Sequence, residues 1–158
     1  MDCVFKTPEG NFNYRVAGVV SHQNRLLVMT EKNIPHWYLP GGRVKLHESA
    51  EAALKREFAE ELYLPAEIKR PLWLVESFFM LEGKNEKFHE LCLCYLVDLP
   101  YENLPATDTW EQDDSDGASH IFRWLTPEEV RSTRLYPVCL KECFPALPEH
   151  LELVTVFE

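Results

Sequence analysis

Three glutamates, at positions 57, 60 and 61, are the residues best suited to chemistry. In a helix, residues spaced i, i+3 and i+4 lie on one side, so Glu57, Glu60 and Glu61 would bring three carboxylates together. Like charges one turn apart repel each other, and a hard divalent cation turns that repulsion into attraction. Oxygen-only ligands on a rigid helix suit Mg²⁺ or Mn²⁺ better than zinc. The spacing therefore predicts a magnesium or manganese site.

The segment around these glutamates has the features of an amphipathic helix. Ser49 is a good N-cap, and the spacing predicts a helix from there to about Leu62. Apolar residues recur every four positions, at Ala50, Leu54, Phe58 and Leu62. An alternative interpretation is a solvated acidic helix face on which Lys55 and Arg56 pair locally with the glutamates, since such charge runs are common on exposed helices.

The context of the glutamates separates these two interpretations. The segment 42–64 resembles the signature of the Nudix hydrolases, G-x5-E-x7-R-E-U-x-E-E-x-G-U, in which U is apolar. Eight of the nine fixed positions are filled, by Gly42, Glu48, Arg56, Glu57, Phe58, Glu60, Glu61 and Leu64. The segments 37–42 and 124–129 also resemble the family. The resemblance implies an α/β (α+β) fold, with a mixed β-sheet sandwiched between helices, in a single domain over residues 1–158.

The resemblance also implies roles for residues of the signature. Four groups would bind the divalent ion: the Gly41 carbonyl and the side chains of Glu57, Glu60 and Glu61. Arg56 would orient the carboxylates by a salt bridge, and Glu48 would act on the metal indirectly, through water. The implied reaction is attack of water on phosphorus in a nucleoside diphosphate linked to another moiety. Glu57 or another nearby carboxylate would accept the proton.

Tyr63 is the one departure from the signature, because the family has glycine there. The position ends the helix, where a left-handed backbone is common and favours glycine. Tyrosine in that conformation is expected to cost about 1 kcal/mol. Leu64-Pro65 would stop the helix in any case. Tyr63 therefore affects the following loop more than the acidic cluster.

Five further residues are candidates for substrate binding, each with a simpler alternative. Arg15 resembles a position that holds phosphate in some family members, although a strand arginine can equally extend into solvent. Arg43 adds charge beside the glycine turn or is an ordinary loop cation. Trp37 stacks on a base or, as we favour, fills the core. Glu76 and Glu90 are competing candidates for a carboxylate outside the signature.

The charge distribution limits the kinds of partner. The 158 residues carry a formal net charge of −10, which speaks against binding to a nucleic-acid polymer or an anionic membrane. An anionic small molecule, such as a nucleotide derivative, remains compatible if a metal ion mediates the contact. The acidic excess lies after residue 75, and the loop 111–116 is expected to be solvated and to edge the pocket.

Cellular location is also suggested by composition. The N-terminal residues lack the pattern of a signal peptide, and no apolar run is long enough to span a membrane. The spacing of Cys139 and Cys143 fits half of a zinc site, but no second pair completes it. The five cysteines are better explained as reduced, mostly buried thiols in a cytoplasmic protein.

The rest of the chain reads mainly as strands. We expect strands over 12–20 and 25–29 paired as a hairpin, a short strand at 37–39, two long strands over 68–81 and 88–99, and strands at 121–125 and 153–157. Short helices are expected from Pro127 and over 138–144, and a loop over 100–117.

Two functions from different classes remain open. The first is a metal-dependent pyrophosphohydrolase acting on a small nucleotide derivative, which the complete set of glutamates favours. The second is a catalytically silent nucleotide-binding or regulatory module, which only Tyr63 favours. A hydrolase of messenger-RNA ends is disfavoured by the lack of a basic stripe. The family resemblance makes a homodimer a reasonable expectation.

Overall fold

The computed structural model describes residues 1–81 and 83–158, and in that part the chain forms twelve strands and three α-helices. The strands are β1 (Val4–Thr7), β2 (Gly10–Val19), β3 (Ser21–His22), β4 (Arg25–Glu31), β5 (Trp37–Tyr38), β6 (Gly41–Arg43), β7 (Glu67–Met80), β8 (Lys87–Asp98), β9 (Thr109–Asp113), β10 (Ser119–Leu125), β11 (Leu135–Tyr136) and β12 (Glu152–Phe157). The helices are α1 (Ala50–Leu62), α2 (Pro127–Ser132) and α3 (Cys139–Cys143).

The strands form two mixed sheets. The first sheet has the order β1-β2-β8-β7-β12, with β6 added to β2. Its β2–β8 and β7–β12 pairs are parallel, and its other pairs are antiparallel. The second sheet has the order β11-β5-β4-β10-β9, with β3 paired to β4. This arrangement confirms the mixed α+β fold.

Helix α1 packs against the two sheets in one hydrophobic cluster, and helices α2 and α3 pack against them in another. Phe58 and Leu54 of α1 are fully buried against residues of both sheets, including Val16 of β2 and Phe122 of β10. A second cluster packs α2 and α3 against the other side, around residues such as Trp73. None of the helices in the described residues is long and apolar enough to cross a membrane.

The helix that carries the glutamates begins and ends as the sequence predicts. Ser49 has extended backbone angles and its hydroxyl accepts a hydrogen bond from the Ala52 N–H at 3.2 Å, as an N-cap does. Tyr63 closes the helix with φ 55° and ψ 30°, which is the left-handed conformation expected there. The helix at Pro127 is likewise confirmed, with Thr126 and Glu129 forming a capping box.

Two local predictions were wrong. The strands over 12–20 and 25–29 do not form one hairpin, because β2 pairs with β8 in the first sheet whereas β4 lies in the second. The chain passes between the sheets at Val20, and the expected hairpin is reduced to the short strand β3, which pairs with the start of β4. The expected loop 100–117 contains a short 3₁₀ turn and the edge strand β9. Strand β1 lies in a segment for which no element was predicted.

Candidate metal and substrate site

Two glycines bring the backbone of β6 against the glutamate helix. Gly41 has φ 151°, and a Cβ atom there would lie 2.2 Å from the Val16 carbonyl oxygen, so only glycine fits. A Cβ atom on Gly42 would lie 2.3 Å from the carboxyl carbon of Glu57. The glycine pair therefore lets the Glu57 carboxylate approach the main chain of β6 directly.

Arg56 connects the carboxylates of the signature. Its Nη1 donates to Glu57 Oε1 at 2.5 Å and to Glu60 Oε2 at 3.3 Å. Its Nε donates to Glu48 Oε1 at 2.8 Å, and its Nη2 donates to Glu48 Oε2 at 2.9 Å and to the Arg43 carbonyl at 3.0 Å. The guanidinium thus holds three acidic side chains in one cluster beside the glycine turn.

The ion pair with Arg56 determines the protonation of Glu48. Hydrogen bonds from Arg56, helped by the Lys45 N–H, lower the pKa of Glu48 to about 2 although burial opposes this. The same pair raises the pKa of Arg56. Glu48 is therefore a permanently ionised anchor for Arg56, which fits an indirect role toward a metal.

Two carboxylates of the cluster are energetically unfavourable as anions. Burial raises the pKa of Glu57, against the effect of Arg56. Burial also raises the pKa of Glu61 well above its usual range, and the neighbouring charge of Glu57 adds to the increase. The Glu61 side chain is buried, and its Oε2 atom has no hydrogen-bond partner. An unpartnered buried carboxylate oxygen beside a second carboxylate is a position where a cation would be strongly stabilised.

The donor set fits a hard divalent ion. Glu57, Glu60 and Glu61 offer carboxylate oxygens, and Gly41 offers a backbone carbonyl. As the side chains stand, no three His, Cys, Asp or Glu residues among 1–81 and 83–158 are grouped closely enough for one ion. Arg56 holds Glu57 and Glu60 in its own hydrogen bonds. An ion at this position would therefore share these two carboxylates with Arg56.

Arg15 and Glu90 lie together on one face of the first sheet. Arg15 of β2 pairs in register with Cys92 of β8, and its Nε lies 4.0 Å from Glu90 Oε2. The same carboxylate accepts a hydrogen bond from Asn13 at 3.3 Å. Burial lowers the pKa of Arg15, but four neighbouring groups, of which Glu90 is the strongest and Glu61 the weakest, outweigh it and raise the pKa overall. Arg15 therefore stays charged, close enough to the cluster to act on Glu61.

Three other candidate residues lie apart from the cluster. The Arg43 side chain is half exposed and lies 3.8 Å from Asp2, while its carbonyl holds Arg56. Trp37 packs against the core beside α2 and α3, which agrees with the favoured alternative. Glu76 pairs in register with Leu91, which puts it on the opposite face from Glu90, where it accepts a hydrogen bond from His89 Nε2 at 2.9 Å.

A polar group from the second sheet was missed by sequence reasoning. His120 of β10 is buried, and its Nε2 lies 2.9 Å from Asp114 Oδ2. Asp114 in turn contributes to the raised pKa of Glu61, so it lies near the cluster. The Tyr38 hydroxyl donates to Glu31 at 3.0 Å beside His120. One signal was available: His120 lies two residues before Phe122 and four before Trp124, so it shares the inward face of these aromatic residues on the strand.

The acidic segment 111–116, which was expected to be a loop, forms the end of β9 and the turn after it, and it packs against the end of α1. The Ser115 N–H donates to the Glu60 carbonyl at 3.0 Å, and the Gln112 amide donates to the Glu61 carbonyl at 3.0 Å. These bonds satisfy carbonyls that a helix end leaves unpaired. The Tyr63 hydroxyl donates to the Asp113 carbonyl at 3.1 Å. This segment therefore fixes the end of the helix that carries the glutamates.

The chain matches the NUDIX domain over residues 12–147, and it belongs to that family. It is 29% identical over 96 residues to an ADP-ribose pyrophosphatase of Methanocaldococcus jannaschii, covering 59% of this chain and 54% of that protein. It is 46% identical over 43 residues to a Bacillus subtilis protein provisionally named 8-oxo-dGTP diphosphatase, covering 27% of this chain and 29% of that protein. The chain thus spans about half or less of these curated relatives.

Solved structures share the fold at low sequence identity. A MutT protein from Bacillus halodurans has a TM-score of 0.60 at 15% identity, over 92% of this chain and 89% of that chain. An ADP-ribose pyrophosphatase from Streptococcus suis has a TM-score of 0.53 at 16% identity, over 92% of this chain and 98% of that chain. These similarities concern the fold alone.

Proposed function

We propose that this protein is a divalent-cation-dependent pyrophosphohydrolase that cleaves the diphosphate of a nucleoside diphosphate linked to another moiety. Membership of the NUDIX family supports the class of reaction. The names of its partial relatives suggest ADP-ribose and oxidised nucleoside triphosphates as first substrates to try. The side chains of the signature support the dependence on a divalent cation.

The single observation that carries this proposal is the buried carboxylate of Glu61 beside the half-buried Glu57. Burial raises the pKa of both carboxylates, and Glu61 Oε2 has no hydrogen-bond partner. A fold does not benefit from such an arrangement by itself, because buried acids are costly unless they are paired or bind a cation. Glu57 is paired with Arg56, whereas the unpartnered oxygen of Glu61 is explained if that carboxylate binds a cation.

The residues of the site have distinct roles in this proposal. Glu57, Glu60, Glu61 and the Gly41 carbonyl would hold Mg²⁺ or Mn²⁺. Such an ion supplies positive charge that offsets the diphosphate and makes water a better nucleophile. Arg56 keeps the carboxylates oriented, and Glu48 keeps Arg56 in place. Glu57 or another carboxylate of the cluster would accept the proton from the attacking water.

Arg15 is our candidate for a direct contact to the substrate phosphates. It remains charged, and its ion pair with Glu90 is long, at 4.0 Å, so a phosphate oxygen can compete for the guanidinium. Arg43 is a second, more exposed cation next to the glycine turn.

The alternative of a silent nucleotide-binding module loses its sequence support. Tyr63 adopts the left-handed conformation that glycine would have, and its hydroxyl bonds the neighbouring loop. The helix end is therefore maintained, and the departure from the signature gives no reason to expect loss of turnover.

The test is turnover of a nucleotide panel, including ADP-ribose and 8-oxo-dGTP, with Mg²⁺, with Mn²⁺ and with a chelator. We expect cation-dependent release of a nucleoside monophosphate or of pyrophosphate. Glu61→Gln should lower kcat by at least ~10²-fold. Glu51→Gln, which alters an exposed acid of the same helix, is the matched control and should keep wild-type activity. Nucleotide binding without any turnover would favour the silent module instead.

We also propose that the protein works in the cytoplasm. All five cysteines are free, and burial raises the pKa of Cys139 to about 12 and helps to raise that of Cys94. Such thiols are expected to persist in a reducing compartment. Fluorescence microscopy of the tagged protein in its source cells checks this, and secretion would contradict it.

A further inference from the structure

The face of the first sheet that carries Arg15 changes its chemistry in steps along β2. Gly41, whose carbonyl is a proposed cation ligand, lies two residues before Arg43 on β6, and Arg43 pairs with Arg15. One step further along β2, Asn13 pairs with Glu90 of β8. Residues two apart on a strand share a face and lie ~6.7 Å apart. From Gly41 outward, the face therefore presents two guanidinium groups and then an amide beside a carboxylate.

Glu90 is anchored at the outer end of this series and is still accessible. Its Oε2 atom accepts a hydrogen bond from Asn13 Nδ2 at 3.3 Å and lies 4.0 Å from Arg15 Nε. Asn13 is buried, whereas the side chains of Arg15 and Glu90 are 30% and 20% exposed. A molecule that binds Arg15 through one group therefore meets Glu90 with the next group along.

The chemistry of a carboxylate limits what that next group can be. An ionised carboxylate accepts hydrogen bonds and donates none, so it binds donor groups and repels phosphate oxygens. If Glu90 served only to neutralise Arg15, the two side chains would be expected to close to the ~2.8 Å of a charge-assisted hydrogen bond. The separation of 4.0 Å leaves both groups able to bind a ligand. The group that reaches Glu90 is therefore a neutral hydrogen-bond donor attached to a phosphate.

We propose, on the basis of the proposed function in which Arg15 binds a phosphate, that Glu90 selects substrates by the hydroxyl groups of a ribose. In a nucleoside diphosphate, the sugar is the group bonded directly to phosphate, and its hydroxyls are neutral donors. The two oxygens of a carboxylate accept from both hydroxyls of a vicinal diol. An acidic side chain binds a ribose hydroxyl in this manner in dinucleotide-binding folds. Ribose is therefore favoured over 2′-deoxyribose.

The two kinds of substrate suggested by the names of the partial relatives differ in this sugar. ADP-ribose contains two riboses, each bonded to the diphosphate, and each has neighbouring hydroxyls. 8-oxo-dGTP contains a 2′-deoxyribose and lacks one of these hydroxyls. A hydrogen bond to a charged acceptor corresponds to a preference of about 10- to 100-fold. We therefore expect ribose-containing diphosphates to be the better substrates.

Calorimetric titration of the whole protein with two pairs of nucleotides in Mg²⁺ tests this preference without requiring turnover. The pairs are ADP with 2′-deoxy-ADP, and GDP with 2′-deoxy-GDP, which differ only in the 2′-hydroxyl. The ribose form should bind at least ~10-fold more tightly in both pairs, because Glu90 contacts the sugar and not the base. Glu90→Gln replaces the anionic acceptor by an amide of the same size and should reduce the preference to ~3-fold or less.

Glu76→Gln is the matched control for this substitution. Glu76 lies on the neighbouring strand β7, on the opposite face of the sheet, where it accepts a hydrogen bond from His89. This variant should keep the wild-type preference for ribose. Asn13→Ala, which releases the Glu90 carboxylate without changing its charge, should lower the preference as well. Circular dichroism verifies that each variant is folded.

Three results would overturn the proposal. One is that ADP and GDP do not bind, or bind no more tightly than their deoxy forms. Another is a preference for ribose that appears with only one of the two bases. The third is that Glu90→Gln weakens all four nucleotides by the same factor, because that is the effect expected if Glu90 only holds Arg15 in position.

The same titrations separate the selection of ribose from the proposed hydrolase activity. A preference for ribose that depends on Glu90, in a protein without any turnover, would support the role of Glu90 and contradict the hydrolase. Cation-dependent turnover together with equal binding of the ribose and deoxyribose forms would support the hydrolase and overturn the role of Glu90.

Discussion

Arg56 of α1 and Glu48 of the preceding loop form a two-point ion pair. The Arg56 Nε donates to one Glu48 oxygen at 2.8 Å, and Nη2 donates to the other at 2.9 Å. The Lys45 N–H donates to the same carboxylate at 3.0 Å. Because one edge of the guanidinium is fixed in this way, its remaining nitrogen, Nη1, faces Glu57 and Glu60. A pair eight residues apart therefore sets the geometry of the acidic cluster.

Glu48→Gln should reduce stability in a pH-dependent way. The variant loses the charged hydrogen bonds to Arg56, and we expect the free energy of unfolding at neutral pH to fall by about 1–3 kcal/mol. The folded pKa of Glu48, about 2, lies below its ordinary value of 4.5. The ionised carboxylate thus stabilises the fold above pH 4.5, and this contribution is lost as the pH falls toward 2.

Urea unfolding of both proteins at pH values through that window measures the effect. The stability difference between wild type and Glu48→Gln should shrink as the solution is acidified. Glu67→Gln, which changes an exposed carboxylate paired with Lys69, is the control and should cost little at any pH. A difference that stays constant from neutral pH to pH 2 would contradict the assignment of the low pKa to this pair.

Glu61→Gln should raise the Tm of the metal-free protein and reduce the further rise in Tm that a divalent cation produces. Burial and the Glu57 charge destabilise ionised Glu61 in the folded state, so removing its charge should raise the Tm of the metal-free protein. Added Mg²⁺ or Mn²⁺ should raise the Tm of the wild type but much less that of the variant.

Thermal denaturation in chelator and in excess cation provides this comparison without any substrate. Glu51→Gln should behave as the wild type in both conditions, because Glu51 is exposed in the first turn of α1. An equal cation-induced shift in wild type and Glu61→Gln would remove Glu61 from the metal site.

The local structure of the site was predictable because short-range rules determine it. Ser49 and the spacing of Leu54, Phe58 and Leu62 define α1, and the spacing of the glutamates places them on one side. The left-handed Tyr63 followed from the signature position it occupies. That residues 1–158 form a single domain stays a prediction.

The long-range parts of the site could not be predicted in the same way. Whether β2 pairs with β4 or β8 depends on contacts between segments some 75 residues apart, which no local pattern encodes. The approach of Asp114 to Glu61 depends on the pairing of β9 and β10, and β9 was expected to be loop. Glu76 and Glu90 looked equivalent in sequence, and only the register of β7 and β8 separates their faces.

Tyr63→Phe and Tyr63→Gly should separate the backbone strain at this position from the hydrogen bond that the tyrosine hydroxyl makes. Tyr63→Phe keeps the left-handed strain and loses the hydroxyl bond to the Asp113 carbonyl, so it should cost about 0.5–1.5 kcal/mol. Tyr63→Gly loses the same bond but relieves about 1 kcal/mol of backbone strain, so it should be nearly neutral. Urea unfolding at neutral pH measures both, and a glycine variant clearly less stable than the phenylalanine variant would refute this division.

His120→Leu should loosen the turn that brings Asp114 to the site. The hydrogen bond from His120 lowers the pKa of Asp114, and the N–H groups of Asp116 and Ala118 act in the same direction. Both N–H groups donate to Asp114 Oδ1 at 2.9 Å. Without His120, the Asp114 carboxylate loses its side-chain partner, and we expect a loss of about 1–3 kcal/mol in the free energy of unfolding.

Hydrogen exchange gives a local readout for the same variant. The amides of Asp116 and Ala118 should exchange faster in His120→Leu, whereas those of α2 should keep their wild-type rates. Asp116→Asn is the control, because that side chain is exposed in the same turn and Asp114 keeps both N–H donors. Unchanged exchange at Asp116 and Ala118 in His120→Leu would mean that backbone hydrogen bonds alone hold Asp114, and that His120 does not position it.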